Sequence, residues 1–340
     1  LAPVLNRITP VLYRANIHEG DAYIQMLSHF NVEREYSIAR HTINYLLHNP
    51  TWPIEYGLLV PEIVWHYYLY TGDIDILIEN WEIIKTKALS QKQSNGLFIT
   101  LDSQDTKAMI DWPAVYRDSY EFGNCLTVVE CCQYSALRHI SKIAEALGHV
   151  DEAKLLEASS NDLKNIINNL LVCKSRSLYV DNIHSLHHSL HANMYALRND
   201  IVPIQMKQSV IDFINSKKMN CSPYSAQFLL EALFNNGESK KAFELLVSSE
   251  KHSWNHMIDT LGATITTEAW SPDEKPNMSF AHPWSSSPAN IIPRCLFGIQ
   301  PVSPGFAEVI INIRPGNLRW ASYSLPTIRG TIDVSFETSG

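Results

Sequence analysis

Apolar residues recur at spacings of three and four along most of the first 300 residues, and this helical period limits the possible folds more than any other feature. The segments GDAYIQMLSHF, REYSIARHTINYLLHN and LVPEIVWHYYLY show it, and Asp73 stands where an N-cap would open the next helix. Further helical patterns run through 124–147, 151–171, 187–198, 204–215, 222–235, 238–249 and 286–298. About ten or eleven helices, several in long–short pairs and without a repeat of fixed period, predict a mainly α fold. An (α/α)6 toroid fits this count if one helix lies upstream of residue 1.

The pattern changes near residue 300. PGFAEVIINIRP and SYSLPTIRGTIDVSFE contain short alternating β-branched runs broken by Pro and Gly, which is typical of strands. We therefore expect two units, a helical barrel over 1–300 and, over 301–340, the start of a C-terminal β domain that is incomplete at Gly340.

Composition excludes several classes of protein. With 45% hydrophobic and 18% charged residues, the chain belongs with ordinary globular proteins. A formal net charge of −8 without any Lys/Arg run argues against nucleic acid as a partner. No apolar stretch is long enough for a membrane span, and the N-terminus lacks the basic-then-apolar order of a signal peptide. We expect a soluble chain, and its compartment and oligomeric state stay open.

Four loop segments between the helices join an aromatic ring to a carboxylate or an imidazole: TWPIEY (51–56), DWPAVYRDSYEFGN (111–124), TTEAW (266–270) and FAHPW (280–284). Sugars stack their apolar faces on such rings, and their hydroxyls need fixed polar partners. Glycosidic cleavage also needs two carboxylic acids. The candidates for sugar binding in the first two loops include Trp52, Glu55, Trp112 and Tyr120.

Other chemistry has less support. The chain has no G-x-S-x-G, G-x-x-x-x-G-K or H-E-x-x-H motif. The stretch HSLHHSLH (184–191) contains His pairs at helical spacing, which is compatible with a metal site. A helix start with polar contacts is the favoured interpretation, and we predict no metal.

The same loops resemble a known family. DWPAVYRDSYEFGN, HSLHANMYAL, CSPYSAQFLLEAL, TTEAWSPDEKPNMSFAHPWSSSPA, IIPRCLFGIQPVSPGF and LPTIRGTIDVSF together resemble the bacterial α-L-rhamnosidases of glycoside hydrolase family 78, in the six-hairpin glycosidase type. The resemblance covers nearly the whole chain and is strongest from Trp254 onward. It implies an (α/α)6 barrel, a following β-sandwich domain, and preceding β domains that are absent here. It also implies inverting hydrolysis of a carbohydrate substrate without metal or organic cofactor.

The resemblance assigns roles to particular residues. Glu268 in TTEAW matches the family's general base, and His282 in AHPW matches a histidine that contacts the sugar. Trp270 and Trp284 would stack on the sugar or wall the site. Three residues match a second sugar-binding loop: Asp111, Arg117 and Asp118. For Arg117, a salt bridge that holds the loop is an equal alternative.

The family's general acid belongs to an Arg-Glu pair several residues before a Gly-Asp. Gly20 and Asp21 fit the end of this motif, but Arg14 occupies the acid position and Tyr13 the arginine position. A guanidinium cannot donate a proton at neutral pH. The acid is therefore Glu19, Asp21 or Asp118, or the chain is inactive.

Three functional hypotheses follow. The first is a rhamnosidase-like hydrolase that uses Glu268. The second is a non-catalytic relative that keeps the sugar pocket. The third is another glycosidase, or a polysaccharide lyase with Tyr116 or Tyr120 as its base, on the same toroid.

Overall fold

A computed structural model describes residues 18–98, 101–102 and 105–338. Tyr13 and Arg14, at the expected position of the acid motif, lie outside the described residues. In chain order, the α-helices are α1 Glu19–Phe30, α2 Ser37–His48, α3 Ile54–Thr71, α4 Asp75–Lys85, α5 Thr127–Ala146, α6 Val150–Leu170, α7 Leu190–Arg198, α8 Lys207–Lys217, α9 Ala226–Asn235, α10 Ser239–Leu246 and α11 Pro288–Ile291. A π-helical turn, Ile292–Leu296, continues α11.

Burial divides these helices into two sets. The odd-numbered helices are buried on nearly every side: ten of twelve residues in α1 and nine of ten in α9 are buried. The even-numbered helices bury one stripe, with four of twenty-one residues in α6 and three of eleven in α8. A helix that is apolar all round belongs inside, and an amphipathic one belongs outside. The odd-numbered helices therefore form an inner ring that the even-numbered helices surround.

The inner ring is closed. Each odd-numbered helix packs against the next one, and α11 packs against α1. Because every outer helix returns the chain to its starting side, the inner helices run parallel, and their N-terminal ends meet at one face of the ring. The predicted mainly α, (α/α)6 fold is confirmed.

Two local predictions are corrected. Asp73 is not an N-cap, because α4 begins two residues later and has Ile74 at its N-cap position. Asp73 instead accepts hydrogen bonds from Arg40 Nε at 2.9 Å and the Tyr67 hydroxyl at 3.1 Å. The helix expected over 187–198 begins at Leu190, where the Ser189 side chain accepts the Ala192 N–H.

A buried ionic network joins the inner helices. Arg198 of α7 donates from Nη2 to Glu62 Oε1 of α3 at 2.5 Å and from Nε to Glu231 Oε2 of α9 at 2.7 Å. Its Nη2 also donates to the Tyr23 hydroxyl of α1 at 2.7 Å. Arg294, in the π-helical turn after α11, completes the network with a 2.8 Å bond to Glu231 Oε1. One polar network therefore connects α1, α3, α7, α9 and the turn after α11.

The strands are short and pair in twos. They are β1 Leu101–Asp102 with β2 Asp105–Thr106, β3 Val172–Cys173 with β4 Leu178–Tyr179, β5 Ile299–Pro301 with β6 Val309–Ile311, and β7 Trp320–Thr327 with β8 Gly330–Glu337. β6, β7 and β8 lie where the sequence predicts strands, whereas β5 lies just before the first of those segments. The β7–β8 hairpin contacts the helical ring through the Tyr323 hydroxyl, which donates to the Asn31 carbonyl at 2.5 Å.

Candidate active site

A cavity of about 240 Å³ contains five of the residues that the sequence singles out. It is lined by His18, Asp21, Trp52, Pro53, Tyr56, Met109, Trp112, Glu268 and Trp284. All of these residues lie in, or directly after, the loops that lead into inner helices, so the parallel ring brings them to one face. This volume lies below the roughly 300–1,000 Å³ of pockets for drug-sized ligands and suits a single sugar ring.

A larger cavity of about 310 Å³ lies between Lys217 and His252. None of the predicted site residues lines it. We place the candidate site in the smaller cavity because that cavity combines two carboxylates with three indole rings, which is the chemistry that a glycoside needs.

Glu268 is held in a fixed orientation. Its side chain is mostly buried, and its Oε2 accepts the backbone N–H of Ser279 at 2.8 Å. Lys275 Nζ lies 3.4 Å from Oε1, so a cation faces the carboxylate. Trp284 Nε1 donates to the Glu268 carbonyl at 3.0 Å. These contacts tie the TTEAW segment to the AHPW segment and orient the carboxylate at the cavity wall.

Asp21 lies in the first turn of α1 and is paired with His282. Its Oδ1 is 3.0 Å from His282 Nε2, and both side chains are almost fully buried. The His282 ring packs against the Trp284 indole with ring centroids 4.4 Å apart. The structure thus places His282 behind Asp21, and the sugar contact predicted for this histidine stays a prediction.

The three tryptophans of the cavity differ in exposure. Trp52 and Trp112 are 59% and 41% exposed, whereas Trp284 is 5% exposed. Trp284 therefore forms an inner wall, and the other two indoles stand at the mouth, where a sugar face can stack on them.

Two of the three candidate acids do not line the cavity. Both oxygens of Glu19 accept hydrogen bonds from Thr51, from its backbone N–H at 3.0 Å and from its hydroxyl. Asp118 accepts the backbone N–H of Leu190 at 2.7 Å and the side chains of Lys217 and Asn220. These contacts give Glu19 and Asp118 structural roles in neighbouring loops, and Asp21 is the candidate acid that the cavity contains.

Asp111 is fully buried, and all its contacts are internal. Its Oδ1 accepts the Trp112 N–H at 2.8 Å and the Ser222 hydroxyl. Its Oδ2 contacts His191 Nε2 at 2.8 Å and the Ser222 N–H at 2.9 Å. Arg117 donates from Nε to the Asp111 carbonyl at 2.8 Å, and its guanidinium lies over the Phe122 ring. Arg117 thus contacts its own loop through a backbone carbonyl and an aromatic ring, and its contact with sugar stays a prediction.

Glu55 positions part of the cavity wall. Its Oε1 accepts the backbone N–H groups of Met109 and Ile110, each at 2.7 Å. Burial raises the pKa of Glu55, and the two N–H donors oppose this rise. Met109 lines the cavity, so Glu55 positions a wall and does not itself reach the space where a sugar would lie.

Trp270 is completely buried and does not line the cavity. Its Nε1 donates to the Cys221 carbonyl at 2.7 Å, and its backbone N–H donates to the Tyr116 hydroxyl at 3.0 Å. Its indole therefore packs in the core, and a role in stacking on the sugar has no support from its position.

The two tyrosines considered as lyase bases also lie away from the cavity. Tyr116 donates to Glu274 Oε2 at 2.6 Å, and Tyr120 donates to the Asp181 carbonyl at 2.7 Å. Burial, followed by nearby negative groups, raises both pKa values well above the ordinary range. Neither phenol lines the cavity, so the lyase hypothesis loses its proposed base at this site.

The histidines of the HSLHHSLH stretch are separated by their contacts. His187 Nδ1 lies 2.7 Å from Asp181 Oδ2, His188 contacts the Tyr179 carbonyl, and His191 contacts Asp111. Within the described ranges, no three His, Cys, Asp or Glu side chains come together as metal ligands would.

None of the helices in the described part of the chain combines the length and apolar character that crossing a bilayer requires.

His18, Tyr56 and Met109 are cavity residues that the sequence did not single out. Tyr56 could have been found, because it closes the TWPIEY segment one helical position from Glu55. His18 and Met109 carry no comparable signal, since a lone histidine or methionine in a loop fits many roles.

A closed ring of six inner helices, with two carboxylates and three tryptophans at the N-terminal face, defines a glycosidase-type helical toroid. The chain belongs to the bacterial α-L-rhamnosidase six-hairpin glycosidase family, whose sequence profile matches residues 37–296. The profile of the bacterial α-L-rhamnosidase C-terminal domain matches residues 298–340.

Solved structures show the same fold. The rhamnosidase of glycoside hydrolase family 78 from Bacillus sp. GL1 superposes with a TM-score of 0.80 at 20% identity, over 95% of this chain and 36% of that one. The α-L-rhamnosidase of Streptomyces avermitilis, complexed with L-rhamnose, gives 0.74 at 16% identity, over 95% of this chain and 33% of that one. The rhamnosidase of Klebsiella oxytoca, with rhamnose bound, gives 0.69 at 18% identity, over 82% and 58%. No curated protein sequence matches the chain significantly. The chain spans about a third of the length of the first two structures and somewhat over half of the third.

Proposed function

We propose that this chain is the catalytic part of a glycoside hydrolase that removes terminal α-L-rhamnose, or a related deoxysugar, with inversion at the anomeric carbon. The observation that carries the proposal is that Asp21 and Glu268, which are 247 positions apart in the sequence, line one small cavity with tryptophan walls. Family membership and the rhamnose-bound relatives support rhamnose as the sugar.

Glu268 is the proposed general base. A base must be ionised and must hold a fixed position relative to the attacking water. Lys275 faces Oε1, and the Ser279 N–H binds Oε2, so both contacts fix the position of the carboxylate. Glu268 accepts a proton from a water molecule while the water oxygen forms a bond to the anomeric carbon.

Asp21 is the proposed general acid. As the bond between the anomeric carbon and the glycosidic oxygen breaks, the protonated Asp21 carboxyl transfers its proton to that oxygen and becomes a carboxylate. His282 Nε2, at 3.0 Å from Asp21 Oδ1, is close enough to exchange a proton with it between turnovers. An inverting pair is separated by roughly 6.5–9.5 Å, which leaves room for the water.

One observation favours a second candidate function, a binding module without hydrolysis. The family's acid position holds Arg14, which cannot donate a proton at neutral pH. If Asp21 only binds sugar, the cavity retains rhamnose recognition but lacks the proton donor.

Hydrolysis of an aryl α-L-rhamnoside by the wild type and four variants tests the proposal. Glu268→Gln and Asp21→Asn each remove one carboxylate from the cavity, and kcat should fall by about 10²–10⁴-fold. Glu19→Gln and Asp118→Asn are matched controls, because they neutralise carboxylates that do not line the cavity. An aryl rhamnoside is least demanding of the acid, so Asp21→Asn should be more impaired on an alkyl rhamnoside.

Each outcome discriminates between the hypotheses. Inversion predicts that proton NMR detects β-L-rhamnose first, and initial release of the α-anomer would contradict it. Full activity in Glu268→Gln would refute the base assignment. Binding of L-rhamnose by calorimetry without any turnover would select the binding module.

A further inference from the structure

Tyr56 is a polar group of the cavity that the mechanism does not use. It lies in the first turn of α3, and its side chain is 2% exposed. Its hydroxyl oxygen is buried and has no hydrogen-bond partner among the described residues. A hydroxyl that is buried without a partner destabilises the fold, so native proteins seldom retain one unless a ligand or water satisfies it.

The position of this hydroxyl depends on Gly20. A Cβ placed on Gly20 would lie 2.5 Å from Tyr56 Cζ and 2.8 Å from its hydroxyl oxygen. Glycine therefore lets the phenol lie directly against the backbone of α1, next to Asp21. This contact explains physically why a glycine precedes the aspartate in the Gly20–Asp21 pair.

The phenol keeps its proton near neutral pH. Burial is the main cause that raises the pKa of Tyr56 well above the ordinary range, and Tyr224, Asp21 and Glu55 add to the rise. A neutral phenol is both a donor and an acceptor, as a sugar hydroxyl is. The two groups can therefore form a hydrogen bond in the cavity without any change of charge.

We propose that Tyr56 is a substrate-binding residue whose hydroxyl forms a hydrogen bond with one hydroxyl of the sugar that occupies the inner part of the cavity. The inference rests on the proposed function, because it takes the sugar of that site as the ligand. The bond fixes the sugar against the same turn of α1 that carries Asp21, and it thereby contributes to selection of the sugar.

Tyr56→Phe is the direct test, because it removes only the hydroxyl. The Kd for L-rhamnose, measured by calorimetry, and the KM for the aryl rhamnoside should each rise about fivefold to a hundredfold. The Tm of the free protein should stay the same or rise, because a buried hydroxyl without a partner is replaced by hydrogen. A merely structural hydroxyl would give the opposite pattern, a lower Tm with an unchanged Kd.

Tyr224→Phe is the matched control. Tyr224 is also buried, and its ring centroid lies 5.6 Å from that of Tyr56, but it does not line the cavity. Its variant should bind L-rhamnose as the wild type does. An equal loss of affinity in both variants would overturn the proposal, since the effect would then come from repacking.

Monodeoxy analogues of L-rhamnose identify the contact. To the wild type, one analogue should bind more weakly than L-rhamnose. To the Tyr56→Phe variant, that analogue and L-rhamnose should bind equally well, because the analogue and the variant each lack the same hydrogen bond. Equal penalties in both proteins for every analogue would overturn the proposal. If the wild type neither binds nor hydrolyses any rhamnoside, the proposed function itself fails. If the wild type is active and the Tyr56→Phe variant is identical to it, only the role of Tyr56 is refuted.

Discussion

Arg198 is a buried cation whose removal should strongly destabilise the fold. Its guanidinium contacts Glu62 at 2.5 and 3.3 Å and Glu231 at 2.7 Å, and its side chain is 8% exposed. Arg198→Met preserves much of the apolar stem but removes the charge. Glu231 keeps Arg294 as a partner, whereas Glu62 keeps the Tyr23 hydroxyl at 2.9 Å and weaker contacts with Ser135 and His66.

The expected magnitude follows from this unequal loss. Removing one partner of a buried ion pair costs about 3–5 kcal/mol, because the other charge stays buried without compensation. In a chain of 340 residues, 1 kcal/mol shifts Tm by about 2 °C, at the lower end of the range for smaller domains. We expect Arg198→Met to lower Tm at pH 7 by about 6–10 °C in calorimetry.

The dependence on pH provides an independent check. Burial alone would raise the pKa of Glu62, but Arg198, with His66 and His139, outweighs it and holds the pKa of this carboxyl well below its usual range. A carboxyl with a depressed pKa in the folded state stabilises the fold above its unfolded pKa of about 4.3, and this contribution is lost as pH falls through the folded pKa. The difference in Tm between wild type and variant should therefore be greatest near neutral pH and shrink below about pH 4.

Arg138→Met is the control for this experiment, because Arg138 is exposed and donates to the Tyr134 hydroxyl at 3.2 Å. It should change the free energy of unfolding by less than about 0.5 kcal/mol. If Arg198→Met unfolds within about 1 kcal/mol of the wild type at pH 7, the assignment of the network as a major stabilising element is refuted.

Three further variants separate structural from functional roles. Glu19→Gln should lower the free energy of unfolding by about 1–3 kcal/mol, because a neutral amide replaces the charged acceptor of Thr51. Thermal unfolding measures this change. A loss of kcat above about tenfold would restore Glu19 as a candidate acid. Gly20→Ala should lower the free energy of unfolding by about 1–3 kcal/mol and weaken binding of L-rhamnose, since the alanine Cβ would overlap the Tyr56 ring. An unchanged Tm and an unchanged Kd for L-rhamnose would contradict that contact. Trp52→Ala should leave Tm nearly unchanged, because the indole is 59% exposed, and should raise the KM about threefold to tenfold; an unchanged KM would remove it from the site.

Local sequence was sufficient for the helices but not for all their ends. Apolar spacing predicts α5 and α6 within a few residues of their observed bounds, because each helix buries a face of constant period. Asp73 has the side chain of an N-cap, yet Arg40 and Tyr67 attract its carboxylate across space, and α4 begins without it. A contact between residues 33 positions apart cannot be inferred from local spacing.

The candidate site shows the same division. Glu268 and His282 could be found from the segments TTEAW and AHPW, because these short motifs match the family. The sequence could not separate Asp21 from Glu19, since both are carboxylates in the same turn. The direction of each side chain decides which of the two lines the cavity. Asp21 faces His282 and the cavity, whereas Glu19 faces Thr51.

By itself, the sequence determined the helical fold class, the change to strands near residue 300 and the family. These depend on periodicity and short motifs, which are written along the chain. The tertiary structure decided which polar residues meet. The sequence predicts Asp111 and Trp270 as site residues, yet packing buries both of them completely. Tyr56 drew no attention in the sequence, yet closure of the inner ring places it beside Asp21. The physical reason is that a site of this kind is assembled from the ends of several helices, and the distances between those ends are set by how the helices pack, not by their order in the chain.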